Sequence, residues 1–205
     1  PHHLVRKSRD QKPVFLDEAD YTHCLGQIRA LSQQYELAIH AFCLLPDGLH
    51  ILATPLGDPG NLSRFMKALS CSASSRRKRL HGATSVWEVR YRSSPVEPGQ
   101  WMLACICYIE RLPVTQRLAS SAYHYHRSSY RMRLGKTHQY WLEDPEEYTR
   151  LGGSIEDRAE AYRMYMSNGL DPHEEKMIDT AVKRCRLTGS RHFVREVYRK
   201  YGVLG

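Results

Sequence analysis

The sequence predicts a mixed α+β domain on an antiparallel sheet, followed by a helical extension. Three observations predict it. Apolar periodicity alternates in the order strand, helix, strand, strand, helix, strand, helix up to about Ser129. Pro46-Asp47-Gly48, a turn signal, separates two apolar runs within residues 38–54, as a hairpin requires. From Pro145 to Gly205 the chain is rich in helix formers and charge. The expected division is therefore residues 1–130 and 131–205.

His2–Lys7 is short and extended in character, and a polar loop, Ser8–Lys12, follows it. Asp17, with Asp20 three residues on, is placed as an N-cap, and Tyr21, Cys24, Leu25, Ile28, Leu31 and Tyr35 recur at helical spacing. In the second hairpin run Leu49, Ile51 and Ala53 alternate with His50, Leu52 and Thr54, so His50 stands on a strand face just past the turn. After the loop 55–60, a helix is expected from Asn61 to about His81 with Leu62, Phe65, Met66 and Leu69 on its apolar face. Val86–Ser94 alternates like a third long strand. Beyond Pro98-Gly99 a helix runs from Gln100 to Leu112, where Pro113 is expected to stop it. Helices on one face of such a sheet leave the other face, or one edge, free for a ligand. In the extension, Ala159, Tyr162 and Met166, then Met177, Ile178, Ala181 and Val182, then Phe193, Val194, Val197 and Tyr198 mark helices broken at Gly169 and Gly189-Ser190.

The 205 residues carry a formal net charge of +8, with 30 Lys and Arg against 22 Asp and Glu. A basic balance of that size favours a polyanionic partner, of which nucleic acid is the commonest. Arg64, Lys67, Arg76, Arg77, Lys78 and Arg79 fall between Asp58 and Glu88 with no acidic residue among them, which suggests a phosphate-contacting helix. Arg90, Tyr91 and Arg92 interleave an aromatic with cations, a pattern suited to an unpaired base. The 6 cysteines form no C-x-x-C pair and are expected to be reduced, mostly apolar-site thiols. No run approaches the ~18 apolar residues of a membrane span, and no secretory signal is evident, so a soluble, cytoplasmic protein is expected.

Several segments, in chain order, resemble the REP-associated branch of the single-tyrosine HUH transposases. Cys43-Leu44-Leu45-Pro46-Asp47-Gly48-Leu49-His50 is similar to the family's C-L-[ML]-P-N-H-x-H. Leu62–Met66 is similar to its next helix start, and Trp87–Ser93 to W-E-G-R-F-x-S. Ala104–Val114 resembles the A-C-x-Y-I-E-L-N-P-V stretch, Ser128-Ser129-Tyr130 the family's S-S-Y, and Gly189–Gly202 the tail of longer members. The resemblance implies a ferredoxin-like domain that cleaves and rejoins single-stranded or hairpin DNA, as a monomer or homodimer, without a nucleotide cofactor.

It also implies chemistry. A tyrosine hydroxyl, here Tyr108, attacks a DNA phosphate and forms a 5′-phosphotyrosine. A phenol of pKa ~10 needs help, which a divalent metal, Mg²⁺ or Mn²⁺, supplies by polarising the phosphate. Paired histidines at i and i+2 on one strand face hold the ion, with a third ligand one helical turn past the tyrosine. In this chain those positions are Gly48, His50 and Leu112, so His50 alone remains, with Glu88, Asp47 or the DNA as the sources of further ligands. Two expectations follow: a strand transferase with Tyr108 as nucleophile, or a catalytically silent DNA-binding protein on the same fold.

Overall fold

Four strands form one antiparallel sheet: β1 (His2–Lys7), β2 (Leu37–Leu45), β3 (Gly48–Pro55) and β4 (Arg92–Pro95), in the spatial order β2-β3-β1-β4. With α1 (Glu18–Gln34) between β1 and β2, and α2 (Asn61–His81) between β3 and β4, this is the split βαββαβ arrangement called ferredoxin-like. The computed structural model describes residues 1–82, 87–137 and 140–202.

Local chemistry explains the first half of the chain. Asp17 caps α1 by accepting the Asp20 amide at 2.8 Å. Leu45 pairs with Gly48, leaving Pro46 and Asp47 as a two-residue loop. Ser8 N–H donates to the Asp47 carbonyl and Val14 N–H to that of Pro46, both at 2.8 Å, which pins the turn. A β-bulge between Ile39 and Ala41 resets the alternation of β2. Ile39, Phe42 and Leu44 thereby join Leu4, Leu49, Ile51 and the apolar faces of α1 and α2 in one core. Ala41, Cys43, Leu45 and Leu52 join a second core on the opposite face.

That second face is covered. Helix α3 (Gln100–Thr115) lies on it, buried on nearly every side, as an almost wholly apolar helix must be. Over α3 pack the later helices: α4 (Tyr130–Arg133), α5 (Glu146–Thr149), α6 (Ile155–Asn168) and α7 (Pro172–Lys183), followed by α8 (Arg191–Tyr201). The expectation of a free sheet face is thus corrected.

Both sheet edges are occupied too. Ser128 bridges Cys43, and Glu143 N–H donates to the Ile39 carbonyl, along β2. Thr188 bridges Val96 in parallel beside β4. Such cover protects edge strands from pairing with another chain.

Two further boundaries differ from expectation. Pro113 does not end α3: the helix runs on to Thr115, with Leu112 and Pro113 buried and Leu118 N–H donating back to the Pro113 carbonyl at 2.7 Å. The third long strand is shorter and later than Val86–Ser94. Val86 lies outside the described residues, Trp87 makes only an isolated bridge to Ser8, and regular pairing begins at Arg92. Arg92 reaches back four residues to the Glu88 carboxylate, which fits a bend at 88–91 and leaves Val89 84% exposed.

Candidate nucleic-acid interface and tyrosine site

Strand register puts His50 opposite Cys43 and Val5, on the sheet face that α3 covers. Tyr108 projects from α3 onto the same face. Between them sits His3 of β1, its ring edge-on to Tyr108 at a centroid distance of 5.8 Å and 5.2 Å from the His50 ring. His3 Nε2 and His50 Nδ1 share a hydrogen bond of 3.0 Å. The other nitrogen of each ring is buried without a partner among the described residues. Whichever tautomers the rings adopt, one N–H and one lone pair stay unmatched. Burial lowers the His3 pKa to about 3 and holds His50 well below its usual value, so both rings are neutral at pH 7.

The Tyr108 hydroxyl donates to Asp179 Oδ1 of α7 at 3.2 Å, and Lys183 pairs with the other oxygen at 2.8 Å. Burial first, and then the neighbouring Asp179 charge, raise the phenol pKa well above 10. Tyr108 is 7% exposed. As arranged, it is a protonated phenol under a helix, not an activated nucleophile.

The residues on this face do not fit a catalytic Mg²⁺ or Mn²⁺. Gly48 and Leu112 offer no side-chain donor, Asp47 is paired with Lys7 at 3.0 Å, and Glu88 with Arg92. Two imidazoles remain, together with Asp179, whose oxygens are held by Tyr108 and Lys183. Among the described residues these do not form a three-donor cluster, whereas Mg²⁺ and Mn²⁺ seek sets of oxygens. Nor is Gly48 an easily restored histidine: at φ 158°, an added Cβ would lie 2.3 Å from the Arg6 carbonyl oxygen. A close approach by the neighbouring strand therefore fixes glycine there. Elsewhere, Asp17, Asp20 and His81 bring three possible donor atoms within 4.8 Å of one another. Their carboxylates already serve the fold: Asp17 caps α1, and Asp20 accepts Leu16 N–H and pairs with Arg76.

The basic surface lies on the other side of the sheet. Arg6 alternates with Val5 and so faces α2, where it lines a cleft of about 370 Å³ with Lys67, Arg90, Tyr91 and Ser63. Tyr91 and Ser63 share a 2.7 Å hydrogen bond across it, and the Arg6 guanidinium lies 5.8 Å from the Trp87 ring centre. Of the cations singled out in sequence, Lys67 and Arg90 line this cleft. Arg64 pairs with Asp58, Arg76 with Asp20, and Arg92 with Glu88, while Arg77 donates to the carbonyls of Pro13 and Val14. Lys78 and Arg79 stay exposed in the last turn of α2.

Two members of the tyrosine site, His3 and Asp179, are invisible to sequence reasoning. His3 stands 47 residues before His50, and Asp179 stands 71 after Tyr108 in a helix that looks solvated. The one signal was a histidine pair, His2-His3, within an otherwise ordinary short strand.

No protein-family model matches this sequence, and no curated protein does. Among solved structures, a REP-associated tyrosine transposase bound to a REP hairpin superposes with a TM-score of 0.56 at 14% identity, over 70% of this chain and 84% of that one. A transposase candidate from Deinococcus radiodurans R1 covers 57% of this chain and 86% of its own at 19% identity, but its TM-score of 0.39 adds nothing to the argument. The first likeness establishes the fold. No described helix is long and apolar enough to cross a membrane.

Proposed function

We propose that this chain is a single-tyrosine HUH transposase relative that binds single-stranded or hairpin DNA and is catalytically silent in the arrangement seen here. The observation that carries the reading is the separation of its parts. The cleft of Arg6, Lys67, Arg90 and Tyr91 opens on the α2 side, while Tyr108 is buried on the opposite face with Asp179 on its hydroxyl. The cleft combines cations with an aromatic, which suits a backbone and an unpaired base. The fold is that of a protein solved on a hairpin, which supports DNA as the partner.

Loss of the metal is enough to silence the chemistry. If an ion supplies about 4 kcal/mol at the scissile phosphate, its loss slows attack roughly a thousandfold. A raised phenol pKa acts in the same direction.

Binding is tested by titrating single-stranded and hairpin oligonucleotides at several salt concentrations. Affinity should fall steeply with salt, and Lys67→Glu with Arg90→Glu should lower it at least tenfold and flatten the slope by about 1.4, two phosphates at ~0.7 each. Salt-independent binding, or none, removes the reading. Incubation with hairpin DNA and Mg²⁺ or Mn²⁺ should give no covalent protein–DNA adduct.

One observation favours the alternative, an active strand transferase. Asp179 stands within hydrogen-bond reach of the Tyr108 hydroxyl, where a carboxylate can take the proton as the oxygen attacks. An adduct that disappears in Tyr108→Phe would establish that alternative.

A further inference from the structure

The turn that joins α7 to α8 is bolted to β4. Ser94 Oγ donates to the Arg186 carbonyl at 2.6 Å, and Thr188 N–H to that of Pro95 at 2.8 Å. Glu97 accepts both the Ser190 amide and its hydroxyl at the start of α8. Yet the helix so firmly started buries none of its residues completely. Between α7 and α8 lies a groove of about 570 Å³. Met177 and Leu187 contribute apolar surface to it, and Lys176, Arg186, Arg191 and Arg195, all exposed, supply its charge. No acidic residue among those described lines it, and none of these four cations forms an ion pair with a described residue.

From these observations we infer that the α7–α8 groove is a second binding site for single-stranded nucleic acid, taking a base on its apolar surface and flanking phosphates on Lys176, Arg186, Arg191 and Arg195. An anionic partner follows from the unopposed charge. An unpaired strand fits the apolar surface of Met177, Leu187 and Val194 within reach of the cations, since a duplex keeps its base faces stacked and offers none to such a surface. Position adds a third argument. Arg90 and Tyr91 of the first cleft immediately precede β4, and Arg186–Gly189 of the groove bond to its far end. At ~3.3 Å per residue, Tyr91 to Val96 spans roughly 17 Å, so only a strand long enough to pass round the β4 edge, from the α2 side to the α7 side, reaches both. The inference extends the DNA-binding reading above and uses different residues.

The experiment compares oligothymidines of about 5 and about 15 nucleotides on the full chain and on two double variants, Arg191→Glu with Arg195→Glu and Lys67→Glu with Arg90→Glu. Circular dichroism checks the fold, which surface changes should leave intact. Parent protein should bind the longer oligonucleotide more tightly. The Arg191/Arg195 variant should lose at least tenfold on the longer one, and 5-iodouracil crosslinks should map to residues 176–195 in the parent and the Lys67/Arg90 variant but not in the Arg191/Arg195 variant. If that variant binds like the parent while the Lys67/Arg90 variant fails, the groove is not a site, though the DNA-binding reading survives. If only the Arg191/Arg195 variant fails, the groove stands and the first cleft falls. No binding by the parent overturns both. A preference for duplex over single strand that the Arg191/Arg195 variant abolishes overturns the unpaired strand. So does loss of binding to phosphatidylglycerol vesicles with DNA binding unchanged, which would make the groove a membrane contact.

Discussion

Glu110→Ala is expected to cost about 3–5 kcal/mol of folding stability, the usual result of removing one partner from a fully buried ion pair. Glu110 of α3 and Arg133 of α4 are both buried. One Glu110 oxygen accepts the Ser129 hydroxyl at 2.5 Å and faces Arg133 Nε at 3.4 Å, and the other accepts the Tyr162 hydroxyl at 2.7 Å. Arg133 also reaches Asp144 at 2.9 Å and the His40 carbonyl. Three segments of chain, α3, residues 129–133 and α6, thus meet at a single carboxylate. Without it, a guanidinium and two hydroxyls are left in a dry core with fewer acceptors. Urea unfolding measures the loss. Glu110→Leu with Arg133→Met should recover much of it, because no charge is then left unpaired at the fully buried centre, and Asp144, partly exposed, keeps the Tyr140 hydroxyl. A loss below about 1 kcal/mol in Glu110→Ala would mean the network carries no such weight.

The same network shows what a sequence can disclose. The stretch around Tyr108 and the Ser128-Ser129-Tyr130 segment are each recognisable alone, but nothing in either says that Glu110 of one receives the hydroxyl of Ser129 in the other. Local signals were dependable where the physics is local. The Asp17 cap, the Pro46-Asp47 turn and the apolar face of α2 depend on neighbours within a few residues. Expectations failed where a distant partner decides. The charge run on α2 looked unopposed because Arg76's partner, Asp20, lies 56 residues earlier. The alternation of Val86–Ser94 suggested a continuous strand, but among the described residues regular pairing with β1 begins only at Arg92. The free sheet face was the most consequential error, and the nearly all-apolar stretch Trp101–Ile109 already argued for a helix buried on both sides. His50 and Tyr108 do share one face, but buried there with His3, with the half-exposed Asp179 on the phenol.

Acid is expected to destabilise this protein steeply below about pH 6.5. His3, His40 and His50 are all buried and neutral. Burial lowers His3 to about 3 and His40 to about 4, despite the hydrogen bond of His40 to the Glu143 carbonyl at 2.7 Å, and His50 sits well below its ordinary value. In the unfolded chain each imidazole takes a proton near pH 6.5, whereas the folded chain refuses it until far lower. The unfolded state therefore binds more protons between about pH 4 and 6.5. Stability is complete above 6.5 and falls as the pH drops through that window. Each ring contributes up to ~1.4 kcal/mol per pH unit, so His3 and His40 together approach ~3 kcal/mol per unit near pH 5, and His50 adds in the same direction. Against a total of about 5–15 kcal/mol, that slope kept up over two units removes a large share of the stability. Asp20, held below its usual range chiefly by the Leu16 amide and Arg76, which together outweigh its burial, loses its contribution only at lower pH and does not set this slope. Urea midpoints measured from pH 7.5 to 4.5 would show the fall, and His40→Gln should flatten it by about one ring's share. A stability constant from pH 6.5 to 4.5 would mean that these imidazoles are already protonated or accessible in the fold, and would also undo the neutral His3–His50 pair beside Tyr108.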